Sequence, residues 1–196
     1  MEAIILASSS PRRQEILKKL GIPFRVIMPE IDENVGDDVE LEQIPELLAI
    51  KKVRTVIQSF PQNQIIPWVF GADTMIICDG VPYGKPASAE EAAFILQTLS
   101  GKTHKVITSI ALFNGNLNHI ETKTNITEVT FKELTESEIE WYINTGEWHG
   151  AAGAYRIQDL ASCFISKING SYSSVIGLPI FEFYEILKEQ GYELNI

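Results

Sequence analysis

Two arginines stand where a helix begins. The stretch LASSSPRRQEILKKL, residues 6–20, follows a short apolar run from Ala3 to Ala7 and leads to Ile16, Leu17 and Leu20 at helical spacing. The serines therefore form a strand-to-helix turn. Ser10 suits the N-cap, Pro11 the first helical position and Gly21 the stop. Arg12 and Arg13 then fall in the first turn, where the helix dipole makes a cation unfavourable by ~0.3–1 kcal/mol. An anion offsets that, because amide groups at a helix start, serine hydroxyls and two guanidiniums all point donors at phosphate oxygens. The plainer alternative is a solvated helix start whose arginines reach back to surface carboxylates.

FGADTMII, residues 70–77, sets Asp73 inside an otherwise apolar strand. A carboxylate there is costly to desolvate unless cations, a metal or amides meet it. Asp73 is thus a candidate functional carboxylate, the alternative being a side chain that ties down a loop through backbone amides. In YGKPAS, Lys85 lies between Gly84 and Pro86, where it can meet a phosphate as a point charge. Glu33 belongs to IDEN, an acidic turn, and Lys51 and Lys52 share a helix with one facing a pocket and the other water. Singly, Lys85 and Glu33 are better explained by solvation, and neither Lys51 nor Lys52 is diagnostic. His104, His119 and His149 show no paired spacing and read as structural or surface residues, and no Walker pattern occurs.

The elements that must position these groups alternate between strand and helix signals, which favours an α/β arrangement. Residues 23–28 read as a strand leading into the acidic loop PEIDENVGDD. Residues 44–57 read as a helix with Leu47, Leu48, Ile50 and Val53 on its apolar side. Residues 65–78 form a strand interrupted at Gly71–Thr74, followed by a turn at Asp79-Gly80. Ser88 and Glu91 form a capping box for a helix through Leu99 that Gly101 stops. Residues 106–113 and 122–131 suggest hairpin strands around Asn114-Gly115. Thr135 and Glu138 cap a short helix ending near Gly146, and a last helix runs from about Pro179 to Lys188 with Phe183, Ile186 and Leu187 facing inward.

The chain has 196 residues, 45% apolar and 21% charged, enough for a full core in one domain or two closely joined lobes. A net charge of -10 argues against a nucleic-acid partner, though not against a small anion in a local basic pocket. No apolar stretch is long enough for a membrane span or secretory signal, so an intracellular, soluble protein is expected. Cys78 and Cys163 lie beside Ile77 and Phe164 without metal-ligand spacing, which suggests buried reduced thiols.

The order of motifs is more specific than any one of them. SSSPRR, IDE, LAxxK, GADT, GKP, LSGxxHxVxT, TGE, AGAYxIQ and INGSYxxVIGLP follow one another over nearly the whole chain. In this the sequence resembles the Maf family of nucleoside triphosphate pyrophosphatases. Thr74 after Gly71-Ala72-Asp73 and Gln158 after Ile157 resemble its dTTP/UTP branch, and the 7-methyl-GTP branch differs at both places. The resemblance implies a single domain over residues 1–196: an elongated mixed α/β fold, ITPase-like, with helices flanking the sheet and a cleft between two lobes. It also implies a homodimer, and with no signal or span in the sequence a cytoplasmic one is expected.

By motif match, Asp73 is the catalytic carboxylate, and Ser8, Arg12, Arg13, Lys52 and Lys85 bind the triphosphate. Glu33 joins Asp73 around a divalent metal, Mg²⁺ or Mn²⁺, while Arg12, Thr74 and Gln158 stand where pyrimidines are selected. Trp148-His149-Gly150-Ala151 departs from the family's common Pro-x-Asp-Lys before Ala-Gly, Asp159 and Ala161 replace usual glycines, and Ser174 replaces an asparagine. The reaction implied is attack of water on the α-phosphorus of dTTP, UTP or modified pyrimidine nucleotides. A nucleotide-binding regulator of septum formation with little turnover is the competing expectation. It leaves Glu33 and Asp73 without a use, since carboxylates repel phosphate in the absence of metal.

Overall fold

A computed structural model describes residues 1–36, 38–61, 64 and 66–194. Ile65, expected to open a strand, and Asp37 of the acidic loop lie outside the described residues. The elements are β1 (Ile4–Leu6), α1 (Pro11–Lys19), β2 (Phe24–Val26), α2 (Ile44–Gln58), β3 (Trp68–Cys78), β4 (Val81–Tyr83), α3 (Ala89–Leu99), β5 (Thr103–Asn114), β6 (His119–Phe131), α4 (Glu136–Thr145), β7 (Ile165–Asn169), α5 (Tyr172–Ile176) and α6 (Ile180–Glu189). The fold is mixed α/β, with a seven-stranded sheet in the order β2-β1-β3-β5-β6-β7 and β4 paired to β3. β1 runs parallel to both β2 and β3, whereas β4 is antiparallel to β3 and β7 to β6. β1 is buried along its whole length, as a strand flanked on both sides by parallel neighbours requires.

The chain divides into two compact units. The first comprises Met1–Asp73, Thr108–Asn125 and Gly177–Ile196. Its core joins Ile5 and Val69 of the sheet to Ala49, Val53 and Val56 of α2, and Phe70 packs on Phe183 of α6 with ring centroids 4.5 Å apart. The second comprises Thr74–Ile107 and Ile126–Ile176. Its core contains Leu96, Val106, Phe131, Tyr142 and Phe164, with His104 edge-on to both Phe131 and Tyr155.

Several expectations change. β3 is not interrupted: it runs through Gly71–Thr74 as one strand of 11 residues. The β5–β6 connection is a four-residue turn over 115–118 with Asn118 at φ 49°, not a tight Asn-Gly turn. Asn114 still organises it, its Oδ1 accepting from the Asn116 and Leu117 amides. Leu47 is 40% exposed, and Cys163, expected to be buried, is exposed while Cys78 is buried. Around α3 the capping box is only half formed, because Glu91 accepts from the Ala87 amide instead of Ser88's. Thr135 and Glu138 make the full reciprocal box at α4, which ends at left-handed Gly146 as expected.

Candidate active site

Gly71 explains how a lysine comes to face Asp73. A Cβ there would lie 2.8 Å from Val53 Cγ2 and 3.0 Å from the Ala49 carbonyl oxygen. Only a residue without a side chain lets α2 press this closely on β3. Ala49 and Val53 take the buried side of the helix, and Lys52, beside them, extends to the strand. Its Nζ lies 2.5 Å from Asp73 Oδ1 and 3.6 Å from Glu33 Oε1. The Lys52 and Asp73 side chains are only 13% and 14% exposed, against 64% for Glu33. The desolvation cost expected of Asp73 is thus offset by an ion pair, not by loop amides.

The loop carrying Glu33 is shaped by its own side chains. Asp32 Oδ1 accepts from the Asn34 amide and Asn34 Oδ1 from the Gly36 amide, each at 3.0 Å, and Lys51 Nζ donates to the Asp32 carbonyl. The two adjacent lysines therefore divide the work: Lys51 grips the loop backbone and Lys52 draws its carboxylate toward Asp73.

At the start of α1, Ser10 occupies the N-cap but makes no side-chain cap. Ser8 does the local bonding, its Oγ accepting from the Ser10 amide at 3.2 Å and from Arg13 Nη1 at 3.0 Å. Arg13 is buried, and its Nε donates to the Gly177 carbonyl at 2.8 Å. Burial pushes the Arg13 pKa down to about 10; Asp73 opposes the shift and Arg12 adds to it. Arg12 is half-buried in the same turn. Nothing in the spacing of the sequence marks the tie between Arg13 and Gly177, which are 164 residues apart.

Ser8, Arg12, Arg13, Glu33, Lys52 and Asp73 all belong to the first unit, and Thr74, Lys85 and Gln158 to the second. Thr74 is half-buried on β3, next in sequence to Asp73, and Lys85 is exposed in the loop after β4. Gln158 Nε2 lies 3.0 Å from Asp159 Oδ2. A carboxylate only accepts, so the nitrogen end of the amide faces Asp159. Gln158 Oε1 is buried with no hydrogen-bond partner among the described residues. Asp159 was legible only as a departure from a glycine; its hold on Gln158 was not.

Among the described residues no group of three or more His, Cys, Asp or Glu side chains is placed to hold a metal. Glu33 and Asp73 nevertheless both reach one cationic point, the Lys52 ammonium. Two carboxylates are the protein share that Mg²⁺ takes when substrate phosphates and water complete its shell, so the residues fit such an ion. No described helix is long and apolar enough to cross a membrane.

The profile of the Maf-like protein family matches residues 3–190, and the chain belongs to this family. It is 42% identical over 194 residues to a dTTP/UTP pyrophosphatase of Desulforamulus reducens, covering 99% of this chain and 100% of that one. It is 45% identical over 183 residues to a dTTP/UTP pyrophosphatase of Acinetobacter baylyi, with 93% and 97% covered. Among solved structures, the Ham1 protein of Staphylococcus aureus aligns with a TM-score of 0.48 and 14% identity over 66% of this chain and 72% of that one.

Proposed function

We propose that this chain hydrolyses dTTP and UTP to the nucleoside monophosphate and pyrophosphate. The observation that carries the reading is the convergence of Glu33 and Asp73 on Lys52 in the same unit as the arginine-bearing start of α1. Relatives named for this activity match over the full chain and support it. A triphosphate is an anion suited to the amides, hydroxyls and guanidiniums of this helix start, and Ser8, Arg12, Lys52 and Lys85 are assigned to its oxygens. Arg13, buried beside Ser8, supports that site through the loop it holds.

Asp73 orients a water and takes its proton as the water oxygen bonds to the α-phosphorus. The bond from that phosphorus to the α–β bridging oxygen breaks, and pyrophosphate leaves with that oxygen. Mg²⁺ or Mn²⁺ held by Glu33 and Asp73 supplies neutralisation of phosphate charge when bound. Arg12, Thr74 and Gln158 are assigned to the pyrimidine. The family resemblance extends the reading to a homodimer, and the expectation of a cytoplasmic protein goes with it.

The test is product analysis with dTTP, UTP, CTP and GTP, each with Mg²⁺ or Mn²⁺. Pyrophosphate and monophosphate released preferentially from dTTP and UTP are expected. Release of single phosphate, or equal rates on all four nucleotides, overturns the assignment.

A further inference from the structure

We infer that Arg13 is a positioning residue which, together with the Ser10 amide, turns the Ser8 hydroxyl into an obligate hydrogen-bond donor for the triphosphate. The inference rests on the proposed reading of Ser8 as a phosphate-binding residue. A serine hydroxyl has one proton and two acceptor lone pairs. Among the described residues, the two hydrogen-bond neighbours of Ser8 Oγ are groups that can only donate: a backbone N–H at 3.2 Å and a guanidinium N–H at 3.0 Å. Together they take both lone pairs and leave the hydroxyl its proton alone to offer. An anion is the partner such a group selects, and two donors pulling on the oxygen polarise its O–H bond further. Water or a cationic group seeking an acceptor finds none there.

Arg13 is held for this task. Its Nε is anchored on the Gly177 carbonyl at 2.8 Å, and the residue is only 8% exposed. A guanidinium is suited to the place because its planar fork serves two acceptors in fixed directions, which a lysine ammonium on a flexible stem does not. The role differs from that of a direct phosphate ligand: Arg13 acts through Ser8.

A double-mutant cycle separates the two roles. Binding of inorganic tripolyphosphate is measured by calorimetry for the wild type, Ser8→Ala, Arg13→Lys and the double variant, with melting curves to establish folding. Ser8→Ala is expected to weaken binding roughly tenfold to a hundredfold, the worth of a hydrogen bond to a charged group, and Ser8→Thr, which keeps the hydroxyl, to restore most of it. Arg13→Lys is expected to weaken binding by a smaller factor, and the double variant to bind no worse than Ser8→Ala alone.

Losses that multiply in the double variant show direct contact between Arg13 and phosphate and overturn the inference, as does full binding by Arg13→Lys. If Arg13→Lys does not fold, Ser10→Pro removes the other donor at a residue whose φ of -67° suits proline. The same absence of further loss with Ser8→Ala is then expected, and additive loss again overturns it. Unchanged binding by Ser8→Ala removes Ser8 from the phosphate site and overturns the inference, whereas failure of the proposed hydrolysis itself is seen independently in the product analysis of the wild type.

Discussion

Asp73 is the residue on which the proposed chemistry turns, and its replacement by Asn changes little but charge. The Asn carbonyl still accepts from Lys52, and Glu33, 64% exposed, can follow the ammonium. The stability loss is therefore expected to stay below the ~3–5 kcal/mol of a buried charge left uncompensated. Turnover of dTTP is expected to fall ~10²–10⁴-fold, the worth of a general base. Steady-state rates beside a melting curve check both halves, and an active Asp73→Asn variant removes this carboxylate from the mechanism. Gln158 calls for a different substitution from the obvious one. Gln158→Glu would face Asp159 with a second carboxylate at a site where the amide nitrogen now lies 3.0 Å away, mixing repulsion with any change in base reading. Asp159→Ala removes the clamp without adding the backbone freedom of a glycine. If the clamp orients Gln158 toward the pyrimidine, the ratio of specificity constants for UTP over CTP falls several-fold in this variant, within the ~1–3 kcal/mol of one buried polar group. An unchanged ratio shows that the orientation of Gln158 does not select the base.

At the scale of elements, the packing of α2 on β3 sets the distance from Lys52 to Asp73, and Gly71 permits it. In Gly71→Ala the new methyl would stand 2.8 Å from Val53 Cγ2 and 3.0 Å from the Ala49 carbonyl. The helix must back away, at an expected stability cost of about 1–3 kcal/mol for overpacking. Because Lys52 moves with the helix, nucleotide affinity is expected to fall as well. Urea midpoints and calorimetry measure the two effects; a variant less stable yet binding normally would separate the packing from the site. The elements with local signatures were legible in the sequence: the Thr135–Glu138 box and Gly146 bounded α4, and Phe183, Ile186 and Leu187 marked the inner face of α6. What failed was decided by non-local packing. The Gly71–Thr74 segment carries residues that disfavour a strand, yet it stays in β3 because α2 covers the glycine and Lys52 meets the aspartate. β7, whose residues are mostly exposed, has no clear alternation and gains its place by pairing with β6. Among the candidate site residues, residue types singled out Asp73 and Arg12, whereas Lys52 was set apart from Lys51 only by the resemblance to the family. The burial of Arg13 and its tie to Gly177 depended on chain brought from the far end of the sequence.

Over the whole molecule, acid is expected to act on the fold before most carboxylates titrate, and His104 is the reason. It is 1% exposed in the second unit, hydrogen-bonded through Nε2 to Tyr155 at 2.9 Å, and its Nδ1 has no partner among the described residues. Burial pushes its pKa from 6.5 down to about 4. Between those two values the unfolded chain takes up a proton that the folded chain refuses, so stability decreases as pH falls. The contribution is intact above pH 6.5 and declines by about 3 kcal/mol on reaching pH 4, at ~1.4 kcal/mol per pH unit. Below pH 4 the folded state is protonated too, and this residue adds no further loss. Urea unfolding of the wild type and His104→Gln from pH 7 to pH 4 isolates the effect, since the remaining groups are common to both. The wild type should lose its advantage, or fall behind, as pH decreases. Trp141 and Trp148 lie in the same unit as His104, so their fluorescence reports the relevant unfolding. Parallel stability profiles for the two proteins would mean that His104 is protonated as readily in the folded chain as in the unfolded one, and that its apolar surroundings do not govern the acid response.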